Sequence, residues 1–263
     1  MDEKNYETII YSREGKIARI WLNRPDVHNA FNAVMIRELA DAFHKAADDQ
    51  AVRVVVFSGR GKSFCAGADL NWMREIIRYS FERNLEESLE IADLHYSIYS
   101  LPKPTIARVN GAAIGGGTGF LSACDIVVAS EEARFGLSEV KIGLVPAAIS
   151  PYVLRRIGEN KARQYFLTGE RFDARRALEI GLVNAVVPSD KLDDKIEEIT
   201  GLLLSSGPEA LASCKELLRR VPGMSFEEAK SYTARMIAEL RISREGQEGM
   251  AAFLEKRKPK WAE

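Results

Sequence analysis

Two segments of this chain combine backbone amides and a carboxylate in a way that could support catalysis. Residues 111–120 read GAAIGGGTGF, and the glycines at 115–117 stand where a helix is predicted to begin. The first N–H groups of a helix have no partner within it and carry positive dipole character, so they favour an oxygen that is becoming an anion. Residues 134–146 then supply a single carboxylate, Glu139. N–H donors facing a carboxylate are what an enolate-forming enzyme needs.

A second loop of small residues could supply another donor. Residues 63–70 read SFCAGADL, and they lead from a predicted buried strand into a helix that Asp69 could cap. Ligands bind at the carboxyl ends of parallel strands, so this loop and the glycine segment could converge. The amides of Ala68 and Gly116 would then form an oxyanion hole. Each segment also has a purely structural explanation. The loop at 63–70 could be an ordinary capped turn, and the glycines at 115–117 could allow a helix to pack closely on a strand.

The elements around these loops alternate between strand and helix. Before Pro146, strands are predicted at 9–11, 17–22, 52–57, 105–109 and 126–129, and helices at 32–50, 70–101 (with a break near 79–80) and 115–123. After it, helical segments are predicted at 151–166, 173–180, 189–205, 208–220 and 225–256, with one strand at 182–187. This order predicts βαβ crossovers and a mainly parallel sheet, followed by a helical C-terminal part.

The composition of the chain limits the classes of ligand and the location that we expect for the protein. The formal net charge is −1, so no basic field exists to gather nucleic acid or an anionic membrane surface. The start, MDEKNYETII, lacks the apolar stretch of a signal peptide, and no run of apolar residues predicts a membrane span. The cysteines and histidines are scattered without the spacing of metal ligands. We therefore expect a reduced cytoplasmic protein without a metal site.

Taken together, the motifs resemble the crotonase (enoyl-CoA hydratase/isomerase) superfamily. The resemblance runs nearly end to end, with the segments in the family's order and spacing. The segments that carry it are Asn23 to Pro25, His28 to Asn32, Ser63 to Asp69, Asn110-Gly111, Gly115 to Gly117, Ala123 to Asp125, Phe135 to Pro146, Thr168 to Glu170, Ala174 to Val183 and Phe253 to Arg257.

The resemblance implies a fold, an assembly and a ligand. The fold would be α/β, with a crotonase-like spiral of ββα units in residues 1–200 and a helical trimerisation region in residues 201–263. The protein would form a homotrimer or a dimer of trimers. It would bind an acyl-CoA thioester, whose oxygen the Ala68 and Gly116 amides would hold, and would need no further cofactor because coenzyme A is part of the substrate.

The resemblance also implies the residues around that ligand. Lys256 would approach the phosphates of coenzyme A, from a neighbouring subunit. The coenzyme A contacts would come from Arg24, His28, Ala30, Ala66, Asp69, Leu70 and Lys256. The acyl pocket would be lined by Trp72, Met73, Gly119 and Ala147.

At one position the chain departs from the family's pattern. Well-known hydratases of this family hold a water molecule between two glutamates. Glu139 matches the second, but Gly119 stands at the position of the first. One carboxylate can suffice if Glu139 accepts a proton from the attacking water and returns one to the α-carbon.

The residues near Gly119 resemble one subgroup of the family. Residues 69–73 and 144–153 resemble bacterial 3-methylglutaconyl-CoA hydratases of leucine breakdown and the related isohexenylglutaconyl-CoA hydratases. These substrates carry a second carboxylate, for which Arg74 and Arg78 are candidate partners, although a solvated surface explains both arginines as well. Ser150 and Tyr152 could help to orient water.

Two other functions remain open. An enoyl-CoA isomerase moves a double bond with one base, so it tolerates Gly119. A relative that binds coenzyme A or RNA with little catalysis is the non-enzymatic alternative. The near-zero net charge and the lack of an aromatic platform argue against RNA.

Overall fold

The computed structural model describes residues 6–262. The start of the MDEKNYETII segment and Glu263 lie outside these residues. The chain forms two compact units, one comprising the residues up to Leu101 with Thr105–Ile196, the other Pro102–Pro104 with the residues from Glu197 onward. Within the described range, no helix has both the length and the apolar character required to cross a bilayer.

Ten strands and ten α-helices make up the described chain. The strands are Ile9–Glu14 (β1), Ile17–Leu22 (β2), Val54–Gly59 (β3), Ser63–Cys65 (β4), Thr105–Val109 (β5), Ala112–Ile114 (β6), Ile126–Ser130 (β7), Arg134–Gly136 (β8), Arg171–Asp173 (β9) and Ala185–Val187 (β10). The helices are Ala33–Asp48 (α1), Leu70–Ile76 (α2), Phe81–Ser100 (α3), Gly116–Ala123 (α4), Ser150–Thr168 (α5), Ala174–Glu179 (α6), Leu192–Leu204 (α7), Pro208–Arg220 (α8), Phe226–Ile242 (α9) and Arg244–Leu254 (α10).

The strands of the first unit form two sheets. One has six strands in the order β1-β2-β3-β5-β7-β10, and the other has four in the order β4-β6-β8-β9. Only the β1–β2 and β8–β9 pairs are antiparallel, which confirms the predicted mainly parallel arrangement. Along the chain, a long strand of the larger sheet is repeatedly followed by a short strand of the smaller sheet and then by a helix. This order is the ββα unit that the family resemblance implies.

Aromatic side chains fill the space between the sheets and α1. All six residues of β3 are buried, as its run of β-branched residues predicts for a strand covered on both faces. The Phe57 ring on this strand meets the rings of Phe43 and Phe64 edge-on, with centroids 5.4 Å apart in both pairs. Edge-on contacts of this kind stabilise a core beyond the area they bury, so they fix α1 and β4 against the larger sheet.

Two sequence predictions need correction. The second sheet was missed because each of its strands has only three residues, too few to show a period of two. The long helix predicted at 225–256 is two helices that meet at Ser243. Ser243 ends α9 and its side chain accepts a hydrogen bond from the Gly246 amide, so it caps α10. The predicted break near 79–80 is confirmed, with Ser80 capping α3.

In the second unit, polar side chains close the helix ends. A capping box joins Ser225 and Glu228 at the start of α9. The Glu245 carboxylate accepts hydrogen bonds from the Glu209 and Ala210 amides at the start of α8, at 2.9 and 2.8 Å. These contacts satisfy amides that the helices themselves leave unpaired.

Candidate active site

Two neighbouring strands of the small sheet bring the predicted donor loops together. β4 and β6 are parallel, so the loop that carries Ala68 and the helix that begins with Gly116 leave the same edge of the sheet. A Cβ atom built at Gly67 would lie 3.2 Å from the Ile114 carbonyl oxygen, and one built at Gly117 would lie 2.9 Å from Cys65 Cβ. Small residues are therefore required where the two loops touch.

An isolated parallel β-bridge between Phe31 and Ala68 sets the direction of the Ala68 amide. In this bridge the Phe31 amide donates to the Gly67 carbonyl and the Asp69 amide donates to the Phe31 carbonyl, both at 2.9 Å. Since the residues on either side of Ala68 make the bonds to Phe31, its own N–H points the other way. No backbone carbonyl of residues 6–262 accepts this N–H group.

Gly116 opens α4 beside the same phenylalanine. Its predecessor Gly115 has a φ of 54°, in the left-handed region that glycine tolerates, and no side chain caps the helix. A Cβ atom at Gly116 would lie 2.6 Å from the Phe31 ring. Phe31 thus contacts both predicted donors, and the structure brings Ala68 and Gly116 to one place.

Glu139 reaches the same helix start from another segment. It opens a short 3₁₀ turn, Glu139–Ile142, that follows β8, and its Oε1 lies 3.1 Å from a Cβ atom built at Gly115. Its Oε2 is buried, and none of the described residues donates a hydrogen bond to it. Burial raises the pKa of Glu139 above the ordinary value, although its own backbone amide opposes this. A carboxylate with these properties can act as a base beside the donor pair.

Five of the residues predicted to contact coenzyme A also gather at this edge. Arg24 Nη2 lies 2.8 Å from Asp69 Oδ2, and its Nη1 donates to the Ala30 carbonyl at 2.6 Å. The Ala66 amide donates to the His28 carbonyl at 3.0 Å. The loops at 24–30 and 63–70 are therefore tied to each other, as a shared binding surface requires.

The other two predicted contacts differ in position. Leu70 follows Asp69 at the first position of α2 and is 70% exposed. Lys256 is exposed and belongs to the second unit, so its approach to the phosphates stays a prediction.

Asp69 holds this edge together through two interactions. Its Oδ1 accepts the amide of Asn71 at 2.7 Å, which caps α2, while its Oδ2 pairs with Arg24. Burial alone would raise the pKa of Asp69, but the hydrogen bonds from Arg24 and the backbone amides outweigh burial and hold this pKa below its usual range. The carboxylate is therefore charged at neutral pH.

We expect Asp69→Ala to lower the free energy of unfolding by about 1–2 kcal/mol, because α2 loses its cap and Arg24 its partner. Asp69→Asn keeps a good capping group and should lose less. The difference between Asp69→Asn and wild type should shrink as pH falls below about 3.9, since a carboxyl with a lowered pKa stabilises only while ionised. Urea denaturation at several pH values measures both effects. Asp26→Asn, an exposed site, is the control, and an unchanged Asp69→Ala midpoint would contradict the assignment.

The predicted acyl-pocket residues have different surroundings. Trp72 is buried and meets the Phe31 ring edge-on at 5.8 Å, so it lies near the donor pair. Met73 is half-buried, and Ala147 is exposed ahead of α5. Gly119 is buried inside α4, where a Cβ atom would lie 2.8 Å from Ile149 Cβ.

The two arginines proposed for a distal carboxylate, Arg74 and Arg78, are both exposed. Arg74 donates a hydrogen bond to the Asn71 side chain at 2.5 Å.

Sequence reasoning gave no role to two residues that lie at this site. Phe31 belongs to one of the family motifs, but only the bridge to Ala68 shows that it contacts both donor loops. His95 is fully buried on α3 and lies against Gly119. Its position beside Leu94 and Ile98 on the apolar face of α3 could have indicated burial.

Comparisons with known proteins agree with this architecture. A family model described as "Enoyl-CoA hydratase/isomerase" matches residues 12–263. A "Putative enoyl-CoA hydratase" of Thermus thermophilus is 38% identical over 253 residues, covering 96% of this chain and 100% of the relative. A "2,3-dehydroadipyl-CoA hydratase" of Escherichia coli is 33% identical, covering 95% and 97%. The crystal structure of an enoyl-CoA hydratase from Shewanella pealeana superposes with a TM-score of 0.95 at 42% identity, covering 98% of this chain and 97% of that one.

Proposed function

The chain belongs to the enoyl-CoA hydratase/isomerase family of enzymes, and from this we propose that it adds water reversibly to the double bond of a 2-enoyl-CoA. The observation that supports the proposal most is the grouping around the start of α4. Two amides, of Ala68 and Gly116, and one carboxylate, of Glu139, all lie beside it. An acyl-CoA thioester is the ligand that such a grouping suits.

In the proposed reaction, the thioester oxygen accepts hydrogen bonds from the two amides. Glu139 takes a proton from water as the water oxygen attacks the β-carbon, and the charge that develops on the thioester oxygen is stabilised by the donor pair. Glu139 then returns a proton to the α-carbon, which restores the thioester. The reverse sequence removes water, and the carboxylate ends each cycle in its starting state.

We further propose 3-methylglutaconyl-CoA, an intermediate of leucine breakdown, as the substrate. Support comes from the subgroup residues at 69–73 and 144–153. Arg74 lies in the last turn of α2 and Arg78 lies just beyond this helix, and both are exposed. Their guanidinium groups are candidate partners for the distal carboxylate of this substrate.

A second candidate function is double-bond isomerisation. Gly119 favours it, because a single base is enough to move a proton between two carbons and no carboxylate stands at this position. The two reactions differ in product mass, so one experiment separates them.

The test is to incubate the purified enzyme with 3-methylglutaconyl-CoA, crotonyl-CoA and a 3-enoyl-CoA in parallel. Product mass and double-bond position are followed by mass spectrometry and NMR. A gain of one water, fastest on the glutaconyl substrate, is the expected result. Unchanged mass with a migrated double bond would replace the hydratase by the isomerase, and equal rates on crotonyl-CoA would contradict the branched substrate.

The pH dependence of kcat/KM should report the protonation state of the Glu139 carboxylate. Because burial raises the pKa of this base, the rate should fall on the acid side at a pH above 4.5, the ordinary value. Circular dichroism at each pH separates this loss from unfolding. A rate that stays constant to below pH 4.5 would show that Glu139 is not the base.

A further inference from the structure

Phe31 is attached to both of the predicted donors, through different parts of the same residue. Its main chain forms the isolated parallel bridge with Ala68, in which the Phe31 amide and carbonyl bond to the residues on either side of Ala68 at 2.9 Å. Its side chain meets Gly116. The three atoms nearest to a Cβ atom built at Gly116 all belong to the Phe31 ring, at 2.6, 2.7 and 3.8 Å. The two donor segments are therefore connected through one residue.

An aromatic side chain stands at the fourth position after each donor and packs on the Phe31 ring. Trp72 follows Ala68 in this way, and its ring centroid lies 5.8 Å from that of Phe31 with 64° between the planes. Phe120 follows Gly116, at 5.4 Å and 66°. Edge-on contacts of this kind are a preferred geometry of aromatic pairs. The Phe31 ring therefore contacts both α2 and α4, the helices that begin at the two donors.

These three rings are enclosed by their neighbours. Phe31, Trp72 and Phe120 are all buried and belong to the main apolar cluster of the first unit. Side chains in such interiors are close-packed and hold one conformation, and a densely packed group transmits a displacement rather than absorbing it. A change in the size of residue 31 should therefore move the two helix starts with respect to each other.

The same ring explains why residue 116 is glycine. Gly115 has a φ of 54°, which favours glycine, but the φ of Gly116 lies outside the left-handed region, so its backbone conformation suits other residues as well. A side chain at position 116 would instead collide with the Phe31 ring. The ring thus packs directly on the backbone of α4 at the residue whose amide is the predicted donor.

We infer that the Phe31 ring is the spacer that sets the separation of the Ala68 and Gly116 amides, so that Phe31 is a positioning residue of the proposed reaction. Donors stabilise a developing oxyanion when each lies about 2.7–3.1 Å from it. A misplacement of about 1 Å can lower a rate by about 100-fold. Phe31 transfers no proton and acts only through the two donors. This inference rests on the proposed function, because it requires a thioester oxygen between the two amides.

The test follows the thioester carbonyl group by infrared spectroscopy. Hydrogen bonds to a carbonyl oxygen lower its stretching frequency, so butyryl-CoA labelled with ¹³C at the thioester carbon should have a lower frequency when bound to the wild-type enzyme than when free. Phe31→Leu removes the outer ring atoms and should return this frequency towards the free value. Two rates should fall by about 10–100-fold with little change in KM. They are hydration of 3-methylglutaconyl-CoA or crotonyl-CoA, whichever reacts faster, and exchange of the α-proton of butyryl-CoA in D₂O.

Phe43→Leu is the matched control, because it also removes a fully buried ring, but one that packs edge-on against Phe57 instead of on a donor segment. It should lose stability in urea denaturation as Phe31→Leu does, while the carbonyl frequency and both rates stay near the wild-type values. A wild-type carbonyl frequency in Phe31→Leu would overturn the inference, and so would an equal change in Phe43→Leu. If Phe31→Leu does not fold, Phe31→Met, whose longer side chain fills more of the space, takes its place.

A pair of substitutions tests the contact between the ring and the helix start. Gly116→Ala keeps the amide but places a methyl group against the Phe31 ring, so it should lower kcat by about 100-fold. Leucine has no atoms at the positions of ring Cε1 and Cζ, the two that lie nearest to this methyl group. The double variant Gly116→Ala/Phe31→Leu should therefore recover part of the rate and part of the carbonyl shift. A double variant whose loss of rate equals the product of the two single losses would overturn the inference.

Failure of the hydratase function gives a different result from failure of this inference. A wild-type enzyme that lowers the carbonyl frequency and exchanges the α-proton but adds no water would reject the hydratase function. The carbonyl frequency in Phe31→Leu would then still decide the role of Phe31. A wild-type enzyme that leaves the carbonyl frequency of bound butyryl-CoA unchanged would overturn the inference, because the two amides would then not hold the thioester oxygen.

Discussion

Replacing Glu139 by glutamine should lower kcat for hydration by about 10²–10⁴-fold, the usual contribution of a positioned acid or base. Glutamine has nearly the same shape but cannot take a proton from water or return one to carbon. Glu139 is the carboxylate that the structure places against the start of α4, with Oε1 3.1 Å from a Cβ atom built at Gly115. The measurement is steady-state hydration, with α-proton exchange as a second activity that should fall together with it.

The same substitution should not destabilise the protein. Burial raises the pKa of Glu139 in the folded state, so ionisation costs folding free energy at every pH above the unfolded pKa. Glutamine removes that cost, and the free energy of unfolding at pH 7 should equal or exceed that of wild type. Glu132→Gln, at an exposed position, is the matched control. Near-native turnover in Glu139→Gln would reject the mechanism, and a large loss of stability would leave no reason to assign the loss of rate to chemistry.

Replacing Gly119 by alanine should destabilise the protein by about 1–3 kcal/mol, the usual cost of overpacking a core. Helix propensity alone predicts the opposite, since alanine favours a helix over glycine by about 1 kcal/mol. Packing should win here because the new methyl group would lie 2.7 Å from His95 Nε2 and 2.8 Å from Ile149 Cβ. Gly119→Glu should be still less stable and should not gain hydratase activity, although it places a carboxylate at the position of the family's first glutamate.

Gly201→Ala is the matched control for this prediction. Gly201 also lies inside a helix, α7, but a Cβ atom there would meet nothing within 4 Å. This variant should be stabilised by up to about 1 kcal/mol. Urea denaturation of the two variants measures the difference. A Gly119→Ala protein as stable as Gly201→Ala would contradict the prediction, because it would show that His95 and Ile149 move aside at little cost.

Local sequence patterns determined much of the fold. The alternation of buried strands and amphipathic helices predicted the mainly parallel sheet, and the strand Thr105–Val109 was predicted with its observed bounds. Capping residues placed helix starts well, as at Asp69. These predictions succeeded because periodicity and caps report burial and unpaired amides within a few residues of chain. The short motifs also led to the prediction that Ala68, Gly116 and Glu139 are site residues, because a glycine-rich helix start and an isolated carboxylate are visible in the sequence alone.

Contacts between distant parts of the chain decided the rest. Three-residue strands carry no period, so the small sheet that aligns the two donor loops appeared only in the folded chain. The direction of the Ala68 amide depends on its bridge to Phe31. The sequence shows that His95 stands on an apolar helix face, but only packing shows that Gly119 faces it. Sequence patterns indicate which face of a helix or strand is buried. Tertiary packing determines which residues lie against that face, and these contacts between distant residues determine the chemistry of the site.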